Sequence, residues 1–239
     1  MSEKLQKVLA RAGYGSRRKI EDLIKQGVIS VNNKPATIGD RVTDRDTIQI
    51  NGKPVDRKRL RTNRSRVIAY NKPEGEVCTR SDPEGRSTIF DHLPPLESGR
   101  WINVGRLDIN SQGLILLTTD GDLANKLMHP SSEIEREYAV RVLGKVDDKM
   151  LSRLSNGVKL DDGLARFTTI LDAGGKGANH WYHVVIKEGR NREVRRLWES
   201  QGIKVSRLIR TRFGAVRLDR NIKPGKWKEL NINDIAKLK

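Results

Sequence analysis

A chain of 239 residues is long enough for one large domain or two smaller ones. Hydrophobic residues make up 36% and charged residues 32%, so a core can form beneath a heavily charged surface. Lys and Arg outnumber Asp and Glu by 47 to 30, and the net charge of +17 favours polyanionic partners, because each cation set beside a phosphate releases a condensed counterion. No stretch approaches the roughly 20 apolar residues needed to span a bilayer, and MSEKLQKVLARAG at the N-terminus lacks a continuous apolar signal core. Nucleic acid is therefore the expected partner, and not a membrane. The single cysteine, Cys78, excludes an intramolecular disulfide and a Cys-based zinc site. His180 and His183 lie at odd spacing in a strand-like run, on opposite faces. A metal-free protein of the reducing cytoplasm is expected.

Leu5, Val8, Leu9 and Ala12 follow the i, i+3, i+4, i+7 spacing of one helix face. Gly13 and Gly15 end that helix, and Ser16 is placed to cap a second, which buries Ile20, Leu23 and Ile24 and stops at Gly27. Strand-like pieces follow at 28–31 and 47–50, each closed by a turn, Asn32-Asn33 and Asn51-Gly52. Lys4, Lys7, Arg11, Arg17, Arg18 and Lys25 load these two short helices with positive charge. Arg17 and Arg18 fall in the first helical turn, where the macrodipole disfavours cations; a bound phosphate at that N-terminus would reverse the preference.

LQKVLARAGYGSRRKIEDLIKQGVISVNNKPATIGDRV resembles the S4 RNA-binding domain in its leucines, glycine, Ser-Arg, apolar helix and Gly-x-Val-x-Val-Asn turn. The resemblance implies that Ser16 and the six cations above contact structured RNA. Residues 1–54 are expected to form this domain. From Lys53 to Arg66 the run KPVDRKRLRTNRSR has seven basic residues and one acid, which reads as a solvated basic linker, placed at 55–66.

From residue 67 to the end, VIAYNKP, EYAVRVLG, ARFTTILDA and WYHVVIKEG read as strands, and 121–128 and 192–200 as helices. The strands are too irregularly spaced for repeating βαβ units, so the class is α+β. Within 103–130, Gly105-Arg106-Leu107-Asp108 sets a carboxylate in a loop beside a cation, ahead of an apolar strand at 114–117. An ionised loop carboxylate can act as nucleophile, base or electrostatic stabiliser, although an aspartate in such a turn also serves simply to form it.

The 103–130 segment is similar to the catalytic motif of pseudouridine synthases: Gly-Arg-Leu-Asp, a small polar residue, an apolar strand ending in Thr, then Asp-Gly. Arg136-Glu137-Tyr138-Ala139-Val140 and EGRNREVRRLW at 188–198 resemble two further motifs in the expected order, and YNKPEGEVCT resembles the start of the same domain. The resemblance implies a catalytic domain over 67–239 with a mixed, largely antiparallel sheet and flanking helices. It implies conversion of uridine to its C-glycoside isomer, without a cofactor or a metal. The S4 module with Gly at position 105 points to the branch acting on ribosomal RNA. The form of the third motif most resembles enzymes of the large subunit, whose substrate is 23S rRNA, either free or in an assembly intermediate.

By the same resemblance Asp108 is the essential carboxylate, Tyr138 packs on the flipped base, and Arg195 is the basic partner of Asp108, with Arg192 and Arg196 as neighbours that could be confused with it. Arg106 either fills the gap left by the base or pairs locally with Asp108. The target uridine must leave the stack to react. Eight basic residues in 189–212, interleaved with Trp198 and near Phe213, read as an RNA-facing surface on which Arg190, Arg192 and Arg196 bind RNA, with Lys187 and Arg207 as further phosphate contacts. Trp198 is the aromatic most expected in the core. A monomer is the default. Two other readings compete: a non-catalytic ribosome-assembly factor that keeps the fold, and a hydrolase pairing Asp108 with Asp120 or Asp122. The first predicts loss of a motif residue, and the second a carboxylate opposite Asp108.

Overall fold

The computed structural model describes residues 2–60, 64–176 and 179–238. Its contacts divide the chain into two units. One comprises Met1–Arg66, Pro94–Ile102 and Thr119–Gly121, and the other Val67–Leu93, Asn103–Thr118 and Asp122–Lys239.

In the first unit, helix Leu5–Arg11 turns its apolar stripe inward, and Ser16 caps helix Arg17–Lys25 by accepting a 3.1 Å hydrogen bond from the Lys19 amide. Four short antiparallel strands, ordered Lys34–Pro35, Ile29–Val31, Ile48–Ile50 and Lys53–Pro54, complete it. Leu5, Leu9, Ile20 and Ile29 are wholly buried in a shared core with Ile24, Val42, Ile48 and Val55. Part of the stretch read as linker is therefore packed. Val55 lies in that core, the Asp56 amide donates to the Tyr14 hydroxyl at 3.2 Å, and Arg57–Leu60 form a helical turn with Arg59 over the Tyr14 ring. Residues 61–63 of that stretch lie outside the described residues.

The second unit is built on a sheet whose strands run Thr169–Lys176, Asn179–Ile186, Arg136–Leu143, Lys204–Phe213, Gln112–Thr118, Val67–Lys72 and Trp227–Glu229. Neighbours are antiparallel except Lys204–Phe213 against Gln112–Thr118, which are parallel. The sheet is thus mixed and largely antiparallel, and the class is α+β. Val67–Tyr70 and Gly113–Thr118 are buried on both faces and read as continuous apolar runs, whereas Arg136–Leu143 alternates, burying Tyr138, Val140 and Val142. Helix Glu193–Glu199 covers the Tyr182 side: Trp198 is wholly buried, with its ring centroid 5.1 Å from Tyr182 and 5.9 Å from Phe167.

Two elements differ from the sequence-based expectation. The strand expected over 165–173 begins only at Thr169; Ala165 instead ends a separate hairpin strand, Gly163–Ala165. The ten-residue strand Lys204–Phe213 falls where a basic surface was expected: Val205, Leu208 and Phe213 are buried, at odd spacings that follow two register shifts against strand Arg136–Leu143.

Candidate active site

Asp108 lies in the loop that enters strand Gln112–Thr118, and it is partly exposed. The loop begins at Gly105, whose φ of +76° suits glycine, and Asn103 Nδ2 donates to the Gly105 carbonyl at 2.7 Å. Leu107 anchors it. Its side chain is buried, and the Cys78 sulfur lies 3.4 Å from its amide nitrogen and 3.3 Å from its carbonyl oxygen. Burial pushes the Cys78 thiol pKa up, opposed by the Leu107 amide and by the charges of Lys72, Arg210 and Arg106. The turn closes with a 3.0 Å bond from the Ser111 amide to the Asp108 carbonyl.

Two buried cations hold the turn after Asp108. Lys72 has no exposed surface, and its Nζ donates to the carbonyls of Ser111 at 2.8 Å, Pro73 at 2.9 Å and Ile109 at 3.4 Å. Arg195, 7% exposed, donates from Nη2 to the Asn110 carbonyl at 2.9 Å and from Nη1 to that of Val205 at 3.0 Å. Three successive carbonyls, of Ile109, Asn110 and Ser111, are thereby occupied. Burial lowers the Lys72 pKa, while the charges of Cys78, Glu76, Asp108 and Glu74 pull it back. Burial, and then Arg192, lowers that of Arg195; Asp108 again acts in the opposite sense. Both cations therefore feel the Asp108 charge, although Asp108 forms no direct ion pair among the described residues. Arg106 is exposed and makes no such pair.

Tyr138, 7% exposed, stands opposite Val184 on one side and Arg210 on the other. Arg136, just before it, donates from Nη1 to the carbonyls of Ile134 at 2.9 Å, Lys187 at 2.7 Å and Glu188 at 3.1 Å, and stacks 5.2 Å from the Phe213 centroid. This ties the Tyr138 strand to the start of the 188–198 segment.

That segment does not offer all its arginines to solvent. Arg196 bonds both Asp162 carboxylate oxygens, at 2.9 and 2.7 Å, and Arg190 pairs with Asp162 and Glu188. Arg192, at φ +49°, reaches Glu199 at 3.3 Å. Of the three arginines that could be confused, Arg195 is the one whose guanidinium meets the Asp108 loop, at Asn110. Lys187 sits 3.5 Å from Glu133, and Arg207 is exposed.

In the first unit Lys4, Arg17, Arg18 and Lys25 are exposed. Glu3 pairs with Arg11 at 2.7 Å and with Lys7 at 3.6 Å, and the Ser16 hydroxyl oxygen is committed to its cap. Asp120 accepts from the Ser65 hydroxyl at 2.9 Å.

Lys72, Arg210 and Ser111 were not singled out from sequence. Lys72 carried a signal, being a lysine set in an otherwise apolar strand, VIAYNK. Arg210 carried a weaker one, its two-residue spacing from Leu208.

Comparison with known proteins agrees with this architecture. Residues 66–200 match the RNA pseudouridylate synthase family, and residues 3–48 match the S4 domain. The Haemophilus influenzae protein named ribosomal large subunit pseudouridine synthase B is 58% identical over 239 residues, covering 99% of this chain and 67% of that protein. The protein of that name from Pseudomonas aeruginosa is 59% identical over 98% of this chain and 61% of its own length. For that of Escherichia coli K12 the identity is also 59%, over 97% and 80% respectively. The chain thus spans less than two thirds of the Pseudomonas protein and more of the others. A crystal structure of a pseudouridylate synthase superposes with a TM-score of 0.68 at 24% identity, covering 98% of this chain and 99% of that one, which shows the shared fold. The chain belongs to the RNA pseudouridylate synthase family, with an S4 domain ahead of the synthase domain.

Proposed function

We propose that this protein isomerises uridine to pseudouridine in the ribosomal RNA of the large subunit, in the cytoplasm, with Asp108 as its essential carboxylate. The observation that carries the reading is the grip of Lys72 and Arg195 on the carbonyls of residues 109–111, which presents a partly exposed carboxylate on a rigid turn. A preorganised group of this kind costs no reorganisation when the reaction occurs. The substrate class follows from relatives at 58% and 59% identity that are named for the large ribosomal subunit.

The isomerisation breaks the N1–C1′ bond, turns the uracil and joins C5 to C1′. A proton leaves C5 and one is gained at N1, so no oxidant or reductant is required. Tyr138 supplies a ring for the flipped base to pack against and a hydroxyl for proton relay. The exposed cations Lys4, Arg17, Arg18 and Lys25 hold RNA by its phosphates. The S4 domain captures RNA and the synthase domain that follows it carries the chemistry, in a protein that works as a monomer.

The test is to map pseudouridines in ribosomal RNA from cells lacking the protein and from the same cells expressing it again. Loss of one or a few large-subunit sites, restored by the protein, is expected. An unchanged large-subunit map would refute the reading.

A further inference from the structure

Arg210 is a buried cation with no counter-charge among the described residues. It is 2% exposed, and none of the ion pairs among the described residues includes it. Its Nε donates to the Leu114 carbonyl at 2.6 Å, while its Nη2 is buried without a partner. Arg195 and Arg196 also leave an Nε without an acceptor, but both of their terminal nitrogens are engaged. Arg210 is held by Nε and leaves a terminal nitrogen, with two N–H groups, unspent. A buried charge is ordinarily paired, so an uncompensated one implies an acceptor that arrives from outside.

The place of Arg210 in the sheet says where that acceptor would lie. It stands directly across from Tyr138, and therefore on the same face, and on its other side across from Gly113. Gly113 adopts φ +100°, and a Cβ there would collide with the Arg210 carbonyl oxygen, so the two backbones meet where no side chain fits. The Arg210 charge is felt by the Cys78 thiol, whose sulfur contacts both backbone polar atoms of Leu107, the residue before Asp108. Phe213 orients the guanidinium, with its ring centroid 5.4 Å from Arg210 Cζ. A second buried donor without a partner, Ser111 Oγ, belongs to the turn that Asp108 begins.

We propose that Arg210 is a further catalytic residue, whose free Nη2 donates to a carbonyl oxygen of the flipped uracil and stabilises the negative charge that the ring acquires when N1–C1′ breaks. This assignment rests on the function proposed above. In that cleavage the bonding pair stays with the uracil and spreads over N1, O2 and O4. The ring then uses those electrons to form C5–C1′, a proton is lost from C5, and N1 is reprotonated. Charge on the base rises and falls within one turnover. A fixed cation desolvated before substrate arrives binds the departing uracil anion more strongly than neutral uridine, and differential binding of this kind lowers a barrier. Lys72 and Arg195 have spent their terminal nitrogens on backbone carbonyls; Arg210 has not.

The test compares the wild-type protein with Arg210→Gln and Arg210→Lys in single turnover. One substrate is large-subunit ribosomal RNA lacking the modification; the other is the same RNA carrying 5-fluorouridine, whose base leaves more readily as an anion. Disappearance of the target nucleoside is the readout, with RNA affinity and thermal unfolding measured alongside. With uridine, Arg210→Gln is expected to cleave about 10²–10³-fold more slowly, the loss found when one preorganised donor is removed. Arg210→Lys, which keeps the charge, is expected to recover part of that rate, and the defect of either variant to shrink at least severalfold with 5-fluorouridine. A residue that only braces the sheet would show the same defect with both RNAs. Equal defects, or none in an otherwise active protein, would overturn the assignment. Should Arg210→Gln not fold, the same comparison is made with Arg210→Lys alone. A wild-type protein that modifies neither RNA would overturn the proposed function, and the assignment with it.

Discussion

Lys72 Nζ and the Ser111 carbonyl oxygen are 2.8 Å apart, and Lys72 has no contact with solvent. The bond joins the end of strand Val67–Lys72 to the turn after Asp108, and Arg195 meets the same turn at Asn110. A loop that would otherwise be free to move is thus fixed through its backbone, leaving the aspartate side chain available.

Removing that tether tests its importance. Lys72→Met keeps most of the apolar stem but takes the Lys72 donor from the carbonyls of Pro73 and Ser111, while that of Ile109 still accepts the Gly75 amide at 2.9 Å. Each buried group so stranded costs about 1–3 kcal/mol, offset in part by relief of the buried charge. Denaturant unfolding is expected to show a net loss within that range. The single-turnover rate should fall by about 10²-fold, since a small misplacement of a reacting group is that costly. A stable variant with wild-type rate would show that the turn holds without Lys72.

Tyr138 is expected to act through both ring and hydroxyl. Tyr138→Phe preserves the buried ring in its strand and should leave unfolding nearly unchanged. Without the proton relay the reaction should slow by about 10²–10⁴-fold. Rapid turnover by Tyr138→Phe would leave the residue a packing role only.

The paired arginines of the third segment predict a pH signature. Asp162 is lowered from 3.8 to about 2, chiefly by its hydrogen bonds from Arg196. Because the folded value lies below the unfolded one, the stabilisation is complete above the unfolded value and is lost as pH falls through the folded one. The difference in stability between wild type and Asp162→Asn should therefore be constant above about pH 5 and close towards pH 2. A difference that persists at pH 2 would assign the effect of Asp162 to something other than its charge.

Binding should depend on the second helix of the first unit. Reversing the charge of Arg17 and Arg18 is expected to weaken RNA affinity and to flatten its dependence on salt, by about 0.7–0.9 in logarithmic slope for each phosphate no longer neutralised. An unchanged slope would remove that helix N-terminus from the RNA surface.

The parts of this molecule that could be read from sequence are those decided locally. The Ser16 cap and the glycine at 13 fix the first two helices from within a few residues. The fate of a cation is decided elsewhere. Arg196 reads as a surface charge until Asp162, 34 positions earlier, folds against it. Lys72 reads likewise until a turn 37 to 39 positions later brings it two carbonyls, which join that of Pro73. Arg210 reads as a solvent-facing charge because composition weighs a basic run as a whole, whereas its strand sends alternate residues to opposite faces. Sequence proximity also suggests an ion pair between Arg106 and Asp108; the loop instead leaves Arg106 exposed and takes its cations from Lys72 and Arg195.

The proposed reaction depends on the Asp108 carboxylate. Asp108→Asn changes one oxygen to an amide nitrogen and leaves untouched the backbone bonds that hold the turn. The direct measurement is single-turnover formation of pseudouridine by this variant on unmodified large-subunit ribosomal RNA, with RNA affinity measured in parallel. Affinity close to wild type with no detectable pseudouridine is the predicted result. Pseudouridine formed at the wild-type rate would contradict it.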